Sequence, residues 1–250
     1  CLCGRYSGGG CDGGVASVGL VAHKRHVVAH TWCEAVPALP HLWTDGLLAQ
    51  LGAAIAFTSR LSTGFAVDRT GMDDPVPNLV QLRERVSRTA ALGHLDFLSE
   101  RQERLVEDVL RLGTEVGKVC MAHRDLAPKN SLVTAEGALQ VVDWENSGLS
   151  TLESEFARTI SQLALAGVPL SSNRVRAFAR PLQEIDLEIS HFDLAWFGEW
   201  LRGHLMFLSY LVESSVDVPA YQSRVEREID ALARFADHAA DLANLARRVA

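Results

Sequence analysis

Two stretches of this chain decide its predicted fold: His123-Arg124-Asp125-Leu126-Ala127-Pro128-Lys129-Asn130 and Val141-Val142-Asp143-Trp144-Glu145. Asp125 and Asn130 lie five positions apart, and Asp143 follows a short apolar run. Phosphoryl transfer requires a carboxylate that orients the attacking hydroxyl and oxygen ligands that hold magnesium on the nucleotide phosphates. Magnesium shares hard oxygen ligands with those phosphates, so few protein ligands suffice. The spacing therefore predicts a phosphoryl-transfer site at Asp125, Asn130 and Asp143.

A β-hairpin is predicted between the two motifs. The apolar runs at residues 131–133 and 139–142 flank Glu136-Gly137, which is a turn signal. Because a hairpin brings its two ends together, Asn130 and Asp143 should converge on one ion. If the second strand continues, Glu145 lies on the same face as Asp143, since side chains alternate along a strand.

The two motifs resemble the catalytic and metal-binding loops of the aminoglycoside phosphotransferase and choline kinase-like family, small-molecule relatives of the protein kinases. The family pattern is H-x-D-x-x-x-x-N, then a strand ending in D-[WF]-[ED]. This chain has His123, Asp125 and Asn130, followed by D-W-E at residues 143–145. Protein kinases carry D-F-G at the second motif. The second motif therefore favours the small-molecule branch of the fold.

The resemblance implies a role for each matching residue. Asp125 would be the catalytic carboxylate, and Asn130 and Asp143 would hold magnesium. Lys129 would lie beside the nucleotide phosphates and neutralise developing charge. Each residue also has an ordinary alternative: a loop aspartate, a turn-capping asparagine, a strand-end aspartate or a surface lysine.

Two further residues are expected to support the catalytic loop. His123 would pack and hydrogen-bond within the loop, with no chemical role. Glu155 falls where the family has an acidic residue that braces this loop from behind, although aspartate is usual there.

The order of predicted elements matches a protein kinase-like α+β fold with a truncated N-terminal β lobe. Residues 15–21 and 25–32 are apolar and β-branched, which predicts two strands. Residues 1–40 are interpreted as a remnant of the N-terminal nucleotide-binding lobe, with residues 1–14 irregular. Residues 41–250 are interpreted as the mostly helical catalytic and substrate-binding lobe, which contains the catalytic hairpin.

In such an enzyme the N-terminal lobe carries a loop that covers the phosphates and a lysine that is held by a glutamate on a helix. Residues 8–15 fit the loop pattern G-x-G-x-x-G-x-V, and residues 21–24 are similar to V-A-x-K. Such a pattern arises easily by chance in a glycine-rich stretch. The segment between Lys24 and Pro37 is also too short to contain the helix that would carry the glutamate. We therefore interpret residues 15–32 as the last two strands of that lobe. A compressed glycine loop with Lys24 is the alternative.

The helical part of the chain is marked by periodic apolar residues. Ser99 and Glu100 begin one helix, Gly113 ends it, and its predicted apolar face is Leu105, Val109, Leu110 and Leu112. Further along, four acidic residues suit either a cationic substrate site or a solvated helix face. They are Glu184, Asp186, Glu188 and Asp193.

Composition narrows the class of protein. The 250 residues are 48% hydrophobic and 22% charged, with a net charge of −7, which argues against a general nucleic-acid binder. No apolar run reaches the ~18 residues of a membrane span. The five cysteines are an odd number and no secretory signal is visible, which predicts reduced thiols in a cytoplasmic protein.

Together the motifs, the composition and the resemblance predict a cytoplasmic phosphotransferase that uses ATP and Mg²⁺ to phosphorylate a hydroxyl of a small molecule. The resemblance implies an aminoglycoside-like or related acceptor. The alternative is a catalytically impaired remnant of the fold, which binds nucleotide or a partner without turnover. The intact Asp125, Asn130 and Asp143 set argues against that alternative. The lack of a recognisable phosphate loop, lysine and helical glutamate argues for it. The sequence leaves the identity of the acceptor and the oligomeric state open.

Overall fold

A computed structural model describes residues 18–22, 25–29, 35–60, 76–89, 92–113, 119–215 and 218–249. The chain divides into two compact units, Cys1–Ala35 and Val36–Ala250. The first unit contains an antiparallel strand pair, β1 (Val18–Ala22) and β2 (Arg25–Ala29). The predicted strand pair is therefore present. The alternative glycine loop and its lysine lie outside the described residues.

The second unit is mostly helical, as predicted. Its described helices are α1 (Asp45–Arg60), α2 (Leu79–Arg88), α3 (Glu100–Leu112), α4 (Leu152–Leu165), α5 (Ser172–Gln183), α6 (Gly198–Ser214) and α7 (Gln222–Arg247). None of these helices is both long and apolar enough to cross a membrane.

Short strands interrupt the helices: β3 (Ala35–Pro37), β4 (Val119–Ala122), β5 (Ser131–Thr134), β6 (Leu139–Val141) and β7 (Gly148–Thr151). One sheet has the order β3-β5-β6, and a second pairs β4 with β7. Strands β5 and β6 are antiparallel, with Ser131 opposite Val141. The predicted hairpin is therefore present.

The turn of the hairpin is held by helix α1. Gly137 adopts a positive φ of 80°, a conformation that glycine reaches without a side-chain clash. Gln50 bonds both sides of the turn, because its Oε1 accepts from the Leu139 amide at 2.7 Å and its Nε2 donates to the Gly137 carbonyl at 3.3 Å. The far end of the hairpin is thus fixed to the helical region.

Aromatic side chains from α4, α5, α7 and the segment before α6 form the centre of the helical core. The Phe156 ring stacks on Phe178 at 5.3 Å and meets Trp196 edge-on at 6.2 Å. Phe197 contacts the ring of Phe235 on α7 at 5.1 Å. Burying such large apolar surfaces is the main favourable contribution to folding.

Helix α3 has the predicted ends and all but one residue of the predicted apolar face. Ser99 and Gln102 form a reciprocal capping box at its start, and Gly113 caps its end. Val106 and Val109 are its buried residues, whereas Leu112 is 57% exposed. Leu105 and Leu110 pack against the core, so the prediction failed only at Leu112, the last residue of the helix.

Candidate active site

The side chain of Asp125 lies in the loop between β4 and the short 3-10 helix Pro128–Asn130. Asn130 Nδ2 donates to Asp125 Oδ2 at 3.0 Å and to the Asp125 carbonyl at 2.8 Å. Lys129 Nζ forms an ion pair with the same Oδ2 at 2.9 Å. One carboxylate oxygen is therefore occupied. Among the described residues none donates to Oδ1, so that oxygen is open to a substrate.

The backbone before Asp125 is held by the buried side chain of Glu155. Its Oε1 accepts from the amides of His123 and Arg124, each at 3.1 Å. Glu155 therefore braces the loop as predicted, and its extra methylene does not prevent the contact. Burial raises the pKa of Glu155, and the guanidinium of Arg158 opposes that rise.

His123 connects the catalytic loop to the second motif. Its Nε2 lies 2.9 Å from the Val142 carbonyl, and its ring centre is 4.6 Å from that of Trp144. The Val142 amide donates to the Asn130 carbonyl at 3.0 Å, which extends the pairing of the hairpin by one residue. These contacts give His123 a structural role and place Asp143 directly after the residue that pairs with Asn130.

Asp143 has an unusual backbone conformation. Its φ of 67° and ψ of 54° lie in the left-handed region, and a 3-10 helix, Trp144–Asn146, begins immediately after it. The expectation that Glu145 shares a strand face with Asp143 is therefore wrong, because the strand ends before Asp143. The Asp143 side chain is exposed and makes no hydrogen bond or ion pair with any described residue.

The donor set of the site fits magnesium better than a metal that needs many protein ligands. No group of three or more His, Cys, Asp or Glu within the described ranges is arranged to hold an ion. Magnesium needs only one or two carboxylates when phosphates supply other oxygens. The side-chain amide of Asn130 turns its nitrogen toward Asp125, so the Oδ1 of Asn130 itself is left for another contact. Asp143 offers a second open oxygen group.

Three of the four acidic residues that follow α5 take part in local contacts. Glu184 lies 4.0 Å from Arg180, and Glu188 lies 3.0 Å from His191. Asp193 accepts from the Ala195 amide at 2.7 Å and caps a short helical turn. These contacts favour the solvated-face interpretation over a cationic substrate site.

Residues 21–180 match the model of the APH phosphotransferase enzyme family, and this range contains the catalytic loop, the hairpin and Glu155. The chain belongs to this family. Membership confirms the resemblance found in the sequence and the predicted phosphotransferase class. A search of the curated proteins found no match.

Solved structures share the fold of this phosphotransferase. The choline kinase of Streptococcus pneumoniae is 14% identical with a TM-score of 0.55, covering 88% of this chain and 74% of its own. An ethanolamine kinase of Plasmodium vivax is 10% identical with a TM-score of 0.57, covering 89% and 67%. A spectinomycin phosphotransferase solved with ADP and spectinomycin is 14% identical with a TM-score of 0.55, covering 91% and 74%. These similarities confirm the predicted kinase-like fold.

Two residues of the site were missed by the sequence analysis. Arg158 donates through Nη1 to the Arg124 carbonyl and through Nη2 to Glu199 Oε1 at 3.1 Å. Glu199 also accepts from Ser150 Oγ at 2.6 Å. The available signal was the Glu155/Arg158 pair, two opposite charges three positions apart on one helix face.

Proposed function

We propose that this phosphotransferase moves the γ-phosphoryl group of ATP to a hydroxyl of a small molecule, with Asp125 as the catalytic residue. One observation carries the proposal. The Asn130 amide holds one oxygen of the Asp125 carboxylate at 3.0 Å and leaves the other free, and the hairpin that begins after Asn130 leads back to Asp143.

The chemistry assigned to Asp125 is that of an orienting base. Its open Oδ1 would accept a hydrogen bond from the acceptor hydroxyl and align that oxygen with the γ-phosphorus. The new bond joins the hydroxyl oxygen to phosphorus as the bond to the bridging oxygen of ADP breaks. Asp125 would take the hydroxyl proton and release it to solvent, while ADP leaves with the electron pair of the broken bond.

The oxygen groups of Asn130 and Asp143 would hold the Mg²⁺ that accompanies the nucleotide. When bound, this ion neutralises charge on the phosphate oxygens. Lys129 would add a second positive charge, because its ammonium is exposed and already lies next to the Asp125 carboxylate. The protein thus contributes position and charge around the phosphates.

The acceptor we propose is a small hydroxylated amine, an aminoglycoside-like compound or a relative of it. Choline kinases, an ethanolamine kinase and a spectinomycin phosphotransferase share the fold. The net charge of −7 also favours a cationic small molecule over a nucleic acid. A cytoplasmic location, predicted from the cysteine count, would supply the ATP.

Calorimetry and turnover assays test the proposal in two steps. ATP binding should require Mg²⁺ in the wild-type chain and should weaken strongly in Asp143→Ala. Turnover of the best acceptor from a panel of hydroxylated amines should fall about 10²- to 10⁴-fold in Asp125→Ala. The matched control is Glu136→Gln, which alters an exposed carboxylate at the opposite end of the same hairpin and should change neither measurement.

Three results would contradict the proposal. Magnesium-independent binding that also survives Asp143→Ala would remove the metal assignment. Undiminished turnover in Asp125→Ala would remove the catalytic assignment. Magnesium-dependent ATP binding without turnover of any acceptor would favour the impaired remnant instead.

A further inference from the structure

The peptide unit between Arg124 and Asp125 sets the direction of the catalytic side chain. Its carbonyl accepts a hydrogen bond from Arg158 Nη1, and its amide donates to His123 Nδ1 at 3.3 Å. Arg124 itself has a φ of 65°, in a region that residues with a side chain seldom occupy. Such a conformation persists only when its surroundings hold it in place.

Helix α4 holds both polar groups of the Arg124 backbone. Glu155 accepts from its amide, and Arg158, one turn later on the same helix face, donates to its carbonyl. Both side chains are buried, with Arg158 at 8% exposure and Glu155 at 0%. Two charged residues of one helix therefore fix the residue immediately before Asp125.

Arg158 is in turn fixed by Glu199, in the first turn of α6. The two side chains form an ion pair at 3.1 Å, and Ser150 on β7 holds the second oxygen of Glu199 at 2.6 Å. A buried guanidinium without a partner is costly, so Glu199 compensates the charge of Arg158 and orients its side chain. A continuous set of contacts thus runs from α6 through Arg158 to the catalytic loop.

The start of α6 is located by a backbone contact with the end of α3. A Cβ added at Gly198 would lie 2.6 Å from the Gly113 Cα, a distance that no side chain can occupy. Glu199 follows directly, so this glycine contact determines where its carboxylate points.

From these contacts we infer that Arg158 and Glu199 are positioning residues of the phosphotransferase. They hold the Arg124 carbonyl, and thereby aim the carboxylate of Asp125 at the acceptor hydroxyl. The inference rests on the proposed function for its kinetic consequence. The structural part, a catalytic loop fixed by Arg158, is independent of any activity.

A double-mutant cycle tests the kinetic consequence. Arg158→Met should lower kcat about tenfold to a hundredfold, the cost of a small misplacement at a reacting centre, with KM values within about twofold. Glu199→Gln should lower kcat by a smaller factor and should have no further effect in the Arg158→Met background, because Glu199 acts only through Arg158. Arg158→Lys should recover part of the loss, since one ammonium can reach one of the two partners.

The matched control is Arg83→Met. Arg83 forms an ion pair of the same length, 3.1 Å, with Glu103 and joins α2 to α3 rather than to the catalytic loop. This variant should lose stability without a change in kcat. Additive effects of the two mutations in the cycle, or a change confined to KM, would overturn the positioning role.

Hydrogen exchange separates this inference from the proposed function. Exchange of the amides at residues 123–125 should be faster in Arg158→Met and unchanged in Arg83→Met, whether or not an acceptor is known. A wild-type chain without turnover would overturn the proposed function alone. Unchanged amide exchange at residues 123–125 in Arg158→Met would overturn only the positioning role of Arg158 and Glu199. If Arg158→Met does not fold, Glu199→Gln and Ser150→Ala carry both measurements, with the same expected directions.

Discussion

The catalytic segment, residues 121–145, and the helical region packed around Phe156 are stabilised by different contacts. In the catalytic segment, side chains bond to backbone groups, and Arg124 and Asp143 adopt positive φ angles. In the helical region, aromatic and aliphatic side chains pack with little directional bonding. Hydrogen bonds to charged groups fix geometry closely, whereas apolar packing mainly contributes burial. Damage to the first region should therefore appear in the rate, and damage to the second in stability.

Helix α4 is the boundary between the two regions. Glu155 and Arg158 face the catalytic loop, while Phe156, Ile160 and Leu163 lie in the apolar core. A single helix thus packs against the core on one face and hydrogen-bonds to the catalytic loop on the other. Mutations on its two faces should have separable effects.

The largest expected effect on stability comes from the core. Phe178→Ala removes a fully buried ring that stacks on Phe156, and should lower the free energy of unfolding by about 3–5 kcal/mol. Denaturant unfolding measures this loss. The kcat of the folded fraction should be unchanged, because the Phe178 ring packs on Phe156 in the apolar core. A reduced kcat would break the comparison.

A pH series tests the polar region. Burial, and to a lesser extent Glu199, raise the pKa of Glu155 above its ordinary 4.5, while Arg158, the Arg124 amide and His123 lower it. The folded state therefore holds the proton more tightly than the unfolded state. This stabilisation is complete below pH 4.5 and is lost as the pH rises through the raised pKa.

Replacement of Glu155 by glutamine removes the titrating group and retains an oxygen that can accept from both amides. Between pH 4.5 and the raised pKa, the wild-type free energy of unfolding should fall relative to that of Glu155→Gln. The fall should be about 1.4 kcal/mol for each unit of pKa shift. Parallel curves for the two proteins would show that Glu155 does not titrate abnormally.

The smallest expected effect comes from a pair of glycines with positive φ, one in each region. Gly137, in the hairpin turn, and Gly167, after α4, have φ values of 80° and 81° and no atom within 4 Å of an added Cβ. Either alanine variant should therefore cost only the backbone strain, about 1–2 kcal/mol. Neither should change kcat, and a slower Gly137→Ala enzyme would extend the rate-determining region to the whole hairpin.

The sequence predicted the parts of this protein in which chemistry restricts the residue type. A phosphate-bound magnesium ion would require oxygen donors, which is why Asp125, Asn130 and Asp143 could be proposed together from the sequence, and their roles stay a prediction. The hairpin was predictable because Gly137 marks its turn between two apolar runs. The ends of α3 were predictable because Ser99 and Gly113 are capping residues.

The remaining features depend on tertiary structure. Asp143 adopts a left-handed conformation that ends the strand, and no local pattern distinguishes it from a strand residue. Arg158 and Glu199 lie 41 positions apart, and each alone looks like an ordinary charged helix residue. Their pairing becomes visible only when α4 and α6 are brought together.

The contact between Gly113 and Gly198 has a consequence for how this enzyme can vary during evolution. Neither residue carries a functional group, and neither belongs to a motif by which the family is recognised. Any larger residue at either position would displace the first turn of α6 and, with it, Glu199. Loss of activity among natural variants can therefore arise at two inert positions while every motif residue stays intact.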